Sequence, residues 1–284
     1  MTAFLFCGLL LIGPNGEIYR MKAFAIITGA SSGIGEEYAR QLAAAGYNIV
    51  VVSEREAENR RVAEQLVAQY GVTALPLTVD LTADDAARRV YDFAQGLDGE
   101  VEILVNNAGM LLFSTLQKTE EERIDKIIAL HCTTPTKLCR LFAADMAQRG
   151  RGRILLMSSV TAWTPYPTIS HYAATKAYLK SFGQSLWYEL RDKGVSVTVV
   201  YPSAVDTPFY NLDGKMRRVL LTLGLMLPAE AVARKGLRAM FRSRRESLPG
   251  FWTKLEAAIC AVLPAWALLP ILKIPAVKRI LERI

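Results

Sequence analysis

The chain has 284 residues, of which 51% are hydrophobic and 21% charged, a balance typical of a folded globular protein and not of a disordered or collagen-like one. Its 4 cysteines have no C-x-x-C spacing and its 2 histidines lie far apart, so neither a disulfide framework nor a metal centre is expected. Scattered cysteines of this kind favour a reducing compartment, and we expect a cytoplasmic protein.

The formal net charge of +7 is unevenly distributed. Lys and Arg far outnumber Asp and Glu from Lys215 to the C-terminus, whereas the rest of the chain is slightly acidic. A basic segment attracts phosphates, anionic lipid or an acidic carrier domain, but it is equally typical of a solvated surface. Because the sequence has no recognition-helix motif and no aromatic and basic platform, we expect no nucleic-acid partner.

Two uncharged apolar stretches bear on membrane association. Residues 3–12 are too few to span a bilayer, and no basic residue precedes them as in a signal peptide. Because Met21 lies just before the first predicted strand, residues 1–20 are either part of the natural protein or an incidental leader. Residues 257–272, interrupted by Pro264 and Pro270, are also too few to span, although they are able to lie on a membrane surface.

From residue 23 onward, short apolar runs alternate with helical patterns. The predicted strands cover residues 23–28, 48–52, 72–78, 101–106, 154–158 and 195–201, and the predicted helices cover residues 34–45, 56–70, 84–97, 120–146, 172–192 and 229–241. Apolar runs of this length, each followed by a helix, are typical of parallel strands buried on both faces. They predict an α/β fold, a single doubly wound Rossmann-type parallel sheet flanked by helices. We expect one catalytic domain over residues 21–245 and a C-terminal helical, apolar and basic extension over residues 246–284.

The turn after the first predicted strand is rich in small residues. It reads Thr-Gly-Ala-Ser-Ser-Gly-Ile-Gly over residues 28–35, a G-x-x-x-G-x-G spacing. Small residues let the backbone approach a pyrophosphate, and the helix that follows offers free N–H groups and the positive end of its dipole. The position of this turn in the first βα unit favours a dinucleotide phosphate site.

Three more motifs follow in order along the chain. They are Asn-Asn-Ala-Gly at residues 106–109, Tyr172 and Lys176 in a Y-x-x-x-K pair with Ser159 upstream, and Pro202, Val205 and Thr207 after the sixth predicted strand. In this order and at this spacing, together with the glycine turn, they resemble the short-chain dehydrogenase/reductase family over about residues 22–241.

The resemblance implies a binding site for NAD or NADP. It assigns Gly29, Gly33 and Gly35 to the phosphate turn with Ser31 and Ile34 lining it, Asp80 and Leu81 to the adenine, Asn107 and Ala108 to the adenosine ribose, Tyr172 and Lys176 to the nicotinamide ribose, and Thr207 to the carboxamide. Asn107 has an alternative role, which is to tie two strands together.

The residues after the second predicted strand bear on the choice between NAD and NADP. Ser53 stands where family members that prefer NAD usually have Asp, and Glu54 would repel a 2′-phosphate. Arg55, in contrast, is suited to binding one, whereas Ser32 replaces the Arg or Lys of many NADP-preferring members. These signs conflict, and they favour NADP slightly.

Tyr172 and Lys176 are four residues apart, so they share one face of a helix. A phenol is a poor base at neutral pH, but a nearby ammonium and a positive nicotinamide ring favour its phenolate form. The resemblance implies that Tyr172 donates a proton to a ketone oxygen, that Lys176 assists it, and that Ser159 holds the substrate oxygen by a hydrogen bond.

Two positions depart from the family pattern. The family's fourth catalytic residue is an Asn that braces a water beside the lysine, and His131 stands in its place. An imidazole is able to hold that water and to pass protons, so we favour a surviving relay, the alternative being a packed helix histidine. Ser203 stands where the family commonly has Gly, and we expect little consequence because Ser tolerates many turn conformations.

The expected walls of the substrate pocket, residues 110–112, 163–168 and 209–227, are markedly apolar. They favour a lipophilic substrate such as a fatty 3-oxoacyl chain, a long-chain base or a steroid-like ring system. We therefore predict an NAD(P)-dependent oxidoreductase that interconverts a ketone and a secondary alcohol. The alternative is a catalytically silent sensor or scaffold of the same fold.

The C-terminal extension has three candidate roles. It is a lid over the pocket, a dimer face, or an anchor that lies peripherally on an anionic membrane, for example at the inner membrane surface. The family resemblance also implies a homo-oligomer.

Overall fold

A computed structural model describes residues 10–12, 18–20, 22–111, 114–165, 169–207, 214–223 and 226–262. The described strands are β1 (Leu10–Ile12), β2 (Ile18–Arg20), β3 (Ala23–Thr28), β4 (Asn48–Ser53), β5 (Ala74–Thr78), β6 (Glu100–Asn106), β7 (Gly152–Met157), β8 (Val195–Val200), β9 (Ala204–Asp206), β10 (Met226–Pro228) and β11 (Glu246–Ser247). The described α-helices are α1 (Gly33–Ala44), α2 (Glu56–Tyr70), α3 (Ala86–Gln95), α4 (Glu121–Ile128), α5 (Thr134–Gln148), α6 (Ser170–Leu190), α7 (Gly214–Thr222), α8 (Ala229–Phe241) and α9 (Phe251–Val262).

Seven parallel strands form the central sheet in the order β11-β8-β7-β6-β3-β4-β5. Helices α3, α5 and α6 cover one face of the sheet, and α1, α2 and α8 cover the other. The inner strands are apolar along most of their length because each of their faces is buried by a helical layer. The predicted doubly wound α/β fold is confirmed.

The order of the strands creates a crevice between β3 and β6. The chain proceeds from β3 outward through β4 to β5, then crosses back to β6 and continues outward on the other side. The connections that leave β3 and β6 therefore diverge above the carboxyl ends of these strands, which is where doubly wound sheets bind their ligands. The glycine turn and the Asn-Asn-Ala-Gly motif both lie at this point.

The structure divides the single helix that we predicted over residues 120–146. A π-helical turn, Ala129–Thr133, separates α4 from α5. Pro135, in the first turn of α5, lacks the N–H that an α-helix would direct at the carbonyl of His131. The wider turn accommodates this missing bond, and it carries the buried His131.

Several short elements were not predicted from the sequence. Strands β1 and β2 form an antiparallel pair within residues 1–20, outside the central sheet. Strands β9 and β10 form a separate parallel pair. Strand β11 pairs with β8 through Glu246 and Ser247, so the central sheet continues past residue 245, where we expected the catalytic domain to end.

Helix α9, in the expected C-terminal extension, packs on the carboxyl end of the sheet. It contacts the 3₁₀ turn Val160–Trp163, and its Thr253 hydroxyl lies 2.9 Å from the Ser203 hydroxyl. The indole of Trp252 donates to the carbonyl of Leu223 next to α7, at 3.1 Å. In the part of the chain that the structure describes, no helix has the length and apolar character needed to cross a bilayer.

Candidate active site

The glycine turn between β3 and α1 is packed too closely to admit side chains. Gly29 and Gly33 have φ values of +68° and +58°, which favour glycine. A Cβ at Gly35 would lie 2.1 Å from the carbonyl oxygen of Gly29, and a Cβ at Gly29 would lie 2.8 Å from the Cα of Ala108. The backbone at the start of α1 is therefore bare, as the approach of a pyrophosphate to its N–H groups requires.

Asn107 ties the glycine turn to the end of β6. Its side-chain amide donates to the carbonyl oxygens of Thr28 and Gly29, at 3.1 and 3.4 Å. The Thr28 hydroxyl in turn accepts the N–H groups of Asn107 and Ala108, each at 3.0 Å. The structure thus gives Asn107 the tying role that we left open, and it places Ala108 directly beside Gly29.

Arg55 lies over the glycine turn. One of its Nη atoms donates to the hydroxyls of Ser31 and Ser32, at 2.6 and 2.7 Å. The nearby Arg61 is neutralised by Glu36 at 3.0 Å, whereas no described carboxylate forms an ion pair with Arg55. The turn therefore carries a cation whose charge is free to meet an anion.

Ser53, at the end of β4, is already used within the protein. Its hydroxyl donates to the side-chain oxygen of the fully buried Asn59 at 2.6 Å and accepts the N–H of Arg55 at 3.1 Å. The Asn59 amide also donates to the carbonyl of Ser53 at 2.9 Å. Ser53 therefore has no carboxylate to accept a hydrogen bond from a ribose hydroxyl, and its own hydroxyl proton is already used in the bond to Asn59.

The remaining predicted cofactor residues lie at the same edge of the sheet. Asp80 follows β5 and accepts bonds from the Thr82 N–H and hydroxyl, which hold the pKa of its carboxyl below the usual value. Leu81 is buried, and its carbonyl accepts a bond from the Thr134 hydroxyl at 2.8 Å. Thr207 follows β9, and its hydroxyl donates to the Val205 carbonyl at 3.3 Å.

Tyr172 and Lys176 lie on the first turns of α6, with the lysine buried behind the phenol. Lys176 is 4% exposed, and its Nζ donates to the carbonyl of Met157 at the end of β7, at 2.9 Å. The same Nζ lies 5.4 Å from the centre of the Tyr172 ring. Burial lowers the pKa of Lys176 to about 8, so the ammonium is present at neutral pH.

Ser159 and its neighbour Ser158 follow β7. Ser159 is 6% exposed and caps the turn Val160–Trp163 by accepting the N–H of Thr161 at 3.2 Å, a role that uses a lone pair and not its O–H proton. Ser158 donates to the backbone carbonyl of Lys176 at 2.7 Å. The end of β7 therefore positions Ser159 and also fixes the turn of α6 that carries Tyr172 and Lys176.

His131 lies beside Tyr172 and Lys176, as we expected for the residue that replaces the family's Asn. Its ring is perpendicular to that of Tyr172, with centres 5.7 Å apart, and it is 1% exposed. Both ring nitrogens are bonded to protein groups, Nε2 to the N–H of Met110 at 2.9 Å and Nδ1 to the Thr175 hydroxyl at 2.8 Å.

The expected walls of the substrate pocket are only partly described. Residues 112, 166–168, 209–213 and 224–225 lie outside the described residues. Trp163 packs edge-on against Tyr201 with ring centres 4.4 Å apart, and the Nζ of Lys180 lies 4.0 Å from the centre of its ring. The described part of this wall is therefore anchored to α6 and to the end of β8.

Sequence reasoning missed the residues that support this site. They are Thr28, Asn59, the carbonyl of Met157, Ser158 and Thr175. Several of their contacts join segments distant in sequence, such as Thr28 with Asn107 and Ser158 with Lys176, and such contacts leave no pattern in the chain. The hydroxyl residues that flank the motifs, Thr28 before the glycine turn and Ser158 before Ser159, were the available signal.

The family model described as short chain dehydrogenase matches residues 23–217. The chain belongs to the short-chain dehydrogenase family. As a member it is an oxidoreductase, and the match includes the glycine turn, the Asn-Asn-Ala-Gly motif and the Ser159, Tyr172 and Lys176 set.

Two kinds of curated relative are similar to this dehydrogenase. The chain is 37% identical over 197 residues to the very-long-chain 3-oxoacyl-CoA reductase of Pyricularia oryzae, covering 67% of this chain but only 59% of that protein. It is 33% identical over 208 residues to the 17-beta-hydroxysteroid dehydrogenase type 3 of Mus musculus, covering 72% of this chain and 68% of that one. The Danio rerio protein of the same name is 30% identical over 269 residues, covering 93% of this chain and 83% of that protein.

Solved structures agree with the fold. A short-chain dehydrogenase from Sphingobium yanoikuyae in complex with NADPH superposes with a TM-score of 0.73 at 29% identity, covering 83% of this chain and 93% of that one. A 7beta-hydroxysteroid dehydrogenase superposes with a TM-score of 0.79 over 86% of this chain and 93% of that one, and its 23% identity shows a common fold alone.

Proposed function

We propose that this dehydrogenase interconverts a ketone and a secondary alcohol on a lipophilic substrate, using a nicotinamide dinucleotide. The observation that carries the proposal is the buried Lys176 ammonium behind Tyr172, at the same edge of the sheet as the bare glycine turn. A buried cation without a carboxylate partner is costly to maintain, and such groups are typical of functional sites.

The chain's own residues manage the proton in this reaction. The nicotinamide dinucleotide, when bound, supplies the hydride for the carbonyl carbon in the reductive direction. Tyr172 donates the proton of its Oη to the carbonyl oxygen, and the Lys176 ammonium stabilises the phenolate that remains. Ser159 donates a hydrogen bond to the same oxygen as negative charge develops on it. Tyr172 then regains a proton from solvent, and the alcohol leaves.

We propose that the nucleotide is NADP(H) in preference to NAD(H). The unneutralised Arg55 guanidinium on the Ser31 and Ser32 hydroxyls suits a phosphate ester on the adenosine ribose. Ser53, where an acid would accept from a ribose hydroxyl, is bonded to Asn59 instead. The relative from Sphingobium yanoikuyae, solved with NADPH, supports the same preference.

The proposed substrate is a ketone carried on a long acyl chain, a long-chain base or a steroid-like ring system. The apolar sequence of the expected pocket walls supports this class, and so do the names of the curated relatives, which are 3-oxoacyl-CoA reductases and hydroxysteroid dehydrogenases. The complete Ser159, Tyr172 and Lys176 set gives no support to a catalytically silent scaffold.

We further propose that the enzyme works at the surface of an anionic membrane, on its cytoplasmic side, as a homo-oligomer. Helix α9 exposes the apolar side chains of Phe251, Trp252, Leu255, Ile259 and Val262, and Leu223 is exposed next to α7. The sequence that follows α9 is apolar with basic residues and one acid. Apolar side chains edged by aromatic and basic ones are typical of interfacial helices. The free thiols Cys132 and Cys139 are compatible with a reducing compartment.

The direct test is a titration of the purified protein with NADPH and NADH, followed by nicotinamide fluorescence, and then addition of long-chain 3-oxoacyl and steroid ketones. We expect tighter binding of NADPH and its oxidation in the presence of at least one ketone of this class. Binding of neither nucleotide would refute the proposal. Tight binding without consumption across the panel would favour the silent sensor.

A further inference from the structure

The imidazole of His131 is held on both sides by neighbouring segments. Nε2 accepts the N–H of Met110, and Nδ1 faces the hydroxyl of Thr175. That hydroxyl donates its own proton to the carbonyl of Tyr172 at 2.9 Å, so toward His131 it acts only as an acceptor. The network therefore assigns the neutral tautomer, with the proton on Nδ1 and the lone pair of Nε2 in use.

The surroundings of the ring oppose a second proton. Burial and the Lys176 ammonium hold the pKa of His131 well below its usual value. Among the residues that the structure describes, the titratable groups nearby are Lys176 and Tyr172 on α6 and the adjacent Cys132, and none of them is a carboxylate that would favour an imidazolium. A proton on Nε2 would also break the bond from Met110.

The ring joins two segments on which the reaction depends. Gly109 and Met110 follow β6, and a Cβ at Gly109 would lie 2.9 Å from Nε2 of His131 and 3.7 Å from Nζ of Lys176. Thr175 lies between Tyr172 and Lys176 on α6. On its other side, this turn of α6 is fixed to the end of β7 through the carbonyl of Met157 and the hydroxyl of Ser158.

We propose that His131 is a positioning residue: as a neutral ring it holds the turn of α6 that carries Tyr172 and Lys176 against the loop after β6, and it transfers no proton during turnover. The importance of this role rests on the proposed reductase function, whereas the state of the ring does not. A relay through His131, expected from the sequence, would require the ring to exchange one of the two bonds that hold it.

The state of the ring is measurable without any turnover. The chain has only 2 histidines, so ¹⁵N-histidine labelling of the full chain, with His171→Gln for assignment, isolates the His131 nitrogens by NMR. We expect a protonated Nδ1, an unprotonated Nε2, and shifts that stay constant between about pH 5.5 and 7, below the range in which the neighbouring Lys176 loses its proton. A protonated Nε2, or titration within that range, would overturn the proposal whether or not the protein reduces ketones.

A matched pair of variants tests the positioning role. Thr175→Val removes the acceptor of the Nδ1 proton, and we expect kcat to fall about tenfold while KM and the pH profile of kcat stay unchanged. Thr136→Val is the control, because it removes an exposed hydroxyl bond between α5 and Tyr178 of α6, and we expect no change. A shifted pH profile in Thr175→Val, or equal losses in both variants, would contradict the proposal.

Discussion

Burial of the Lys176 ammonium is unfavourable for folding, but it places a cation beside Tyr172, where we propose that it assists the reaction. Its ammonium is buried with the carbonyl of Met157 as its described hydrogen-bond partner, at 2.9 Å. Removing an ammonium from water without a carboxylate partner is unfavourable, and this desolvation lowers the pKa of Lys176 to about 8. The cation is therefore present at neutral pH and lost within a physiologically accessible range.

The Lys176 pKa predicts a pH dependence of nucleotide binding. Lys176 is protonated below about pH 8, so the charge that we propose assists dinucleotide binding disappears as the pH rises through that value. In Tyr172→Phe, which has no phenol at this position, we expect the dissociation constant for NADPH to increase above about pH 8. Fluorescence titrations between about pH 6.5 and 9.5 measure it. A dissociation constant that is independent of pH would contradict this role for Lys176.

Arg55 predicts the preference between the two nucleotides. Within the described part of the chain its guanidinium is bonded only to serine hydroxyls, so a phosphate would gain charge-assisted hydrogen bonds there. We expect Arg55→Ala to weaken NADPH binding by about tenfold to a hundredfold and to leave NADH binding nearly unchanged.

The control for this prediction is Arg60→Ala, because Arg60 lies on α2, which begins directly after Arg55 in the chain, but is exposed and already paired with Glu56 at 2.7 Å. It should affect neither nucleotide. Equal weakening of NADPH and NADH by Arg55→Ala would show that Arg55 does not read the 2′ position.

At the scale of elements, Ser203 links the loop after β8 to helix α9. We expected little from its replacement of glycine, but its hydroxyl lies 2.9 Å from that of Thr253, which is 1% exposed. Ser203→Ala leaves a buried hydroxyl without this partner, at a cost of about 1 kcal/mol in the free energy of unfolding. We expect Tm to fall by about 2–4 °C.

Ser185→Ala is the matched control, because the exposed Ser185 hydroxyl donates to the Ser181 carbonyl within α6. Differential scanning calorimetry of both variants is the measurement. An unchanged Tm in Ser203→Ala would mean that the Ser203–Thr253 contact does not stabilise the attachment of α9.

The sequence predicted the elements that have a repeated hydrophobic pattern, and it missed those whose structure is determined by a single contact. Alternating apolar runs and helices predicted the six long strands of the central sheet, because burial on both faces demands apolar residues along each strand. The π-helical turn at Ala129–Thr133 was not predicted, because Pro135 in a long amphipathic pattern indicates a kink but not its geometry. Strand β11 has two residues, too few for any periodicity.

The site could be predicted from the sequence where its residues lie at a characteristic short spacing along the chain. Tyr172 and Lys176 are one helical turn apart, and the glycines lie close together in the chain, so their proximity follows from local geometry, and the family resemblance implied their roles. Other features of the site depend on contacts between segments far apart in sequence. They are the tie that Asn107 makes between strands, the position of Arg55 over the glycine turn, and the hydrogen-bond partners of His131. Those contacts could be identified only in the folded structure.

For the whole molecule, the apolar side chains exposed on α9 predict membrane binding. We expect sedimentation with vesicles of phosphatidylglycerol and phosphatidylcholine, weaker sedimentation with phosphatidylcholine alone, and a loss at high salt. Leu255→Ser with Ile259→Ser should weaken binding, whereas Val67→Ser, an equally exposed apolar position on α2, should not.

Vesicle binding that is unaffected by the α9 substitutions would contradict the assignment of this face to a membrane. Dissociation of an oligomer by the same substitutions, without any vesicle binding, would assign the face to a second copy of the chain instead.

The measurement that tests the central claim most directly compares ketone reduction by the wild-type protein and Tyr172→Phe, with nucleotide binding followed in the same samples. The phenol is the proposed proton donor, so its removal should lower kcat by about a hundredfold or more while NADPH still binds at neutral pH. Unimpaired turnover of a good ketone by Tyr172→Phe would contradict the assigned chemistry.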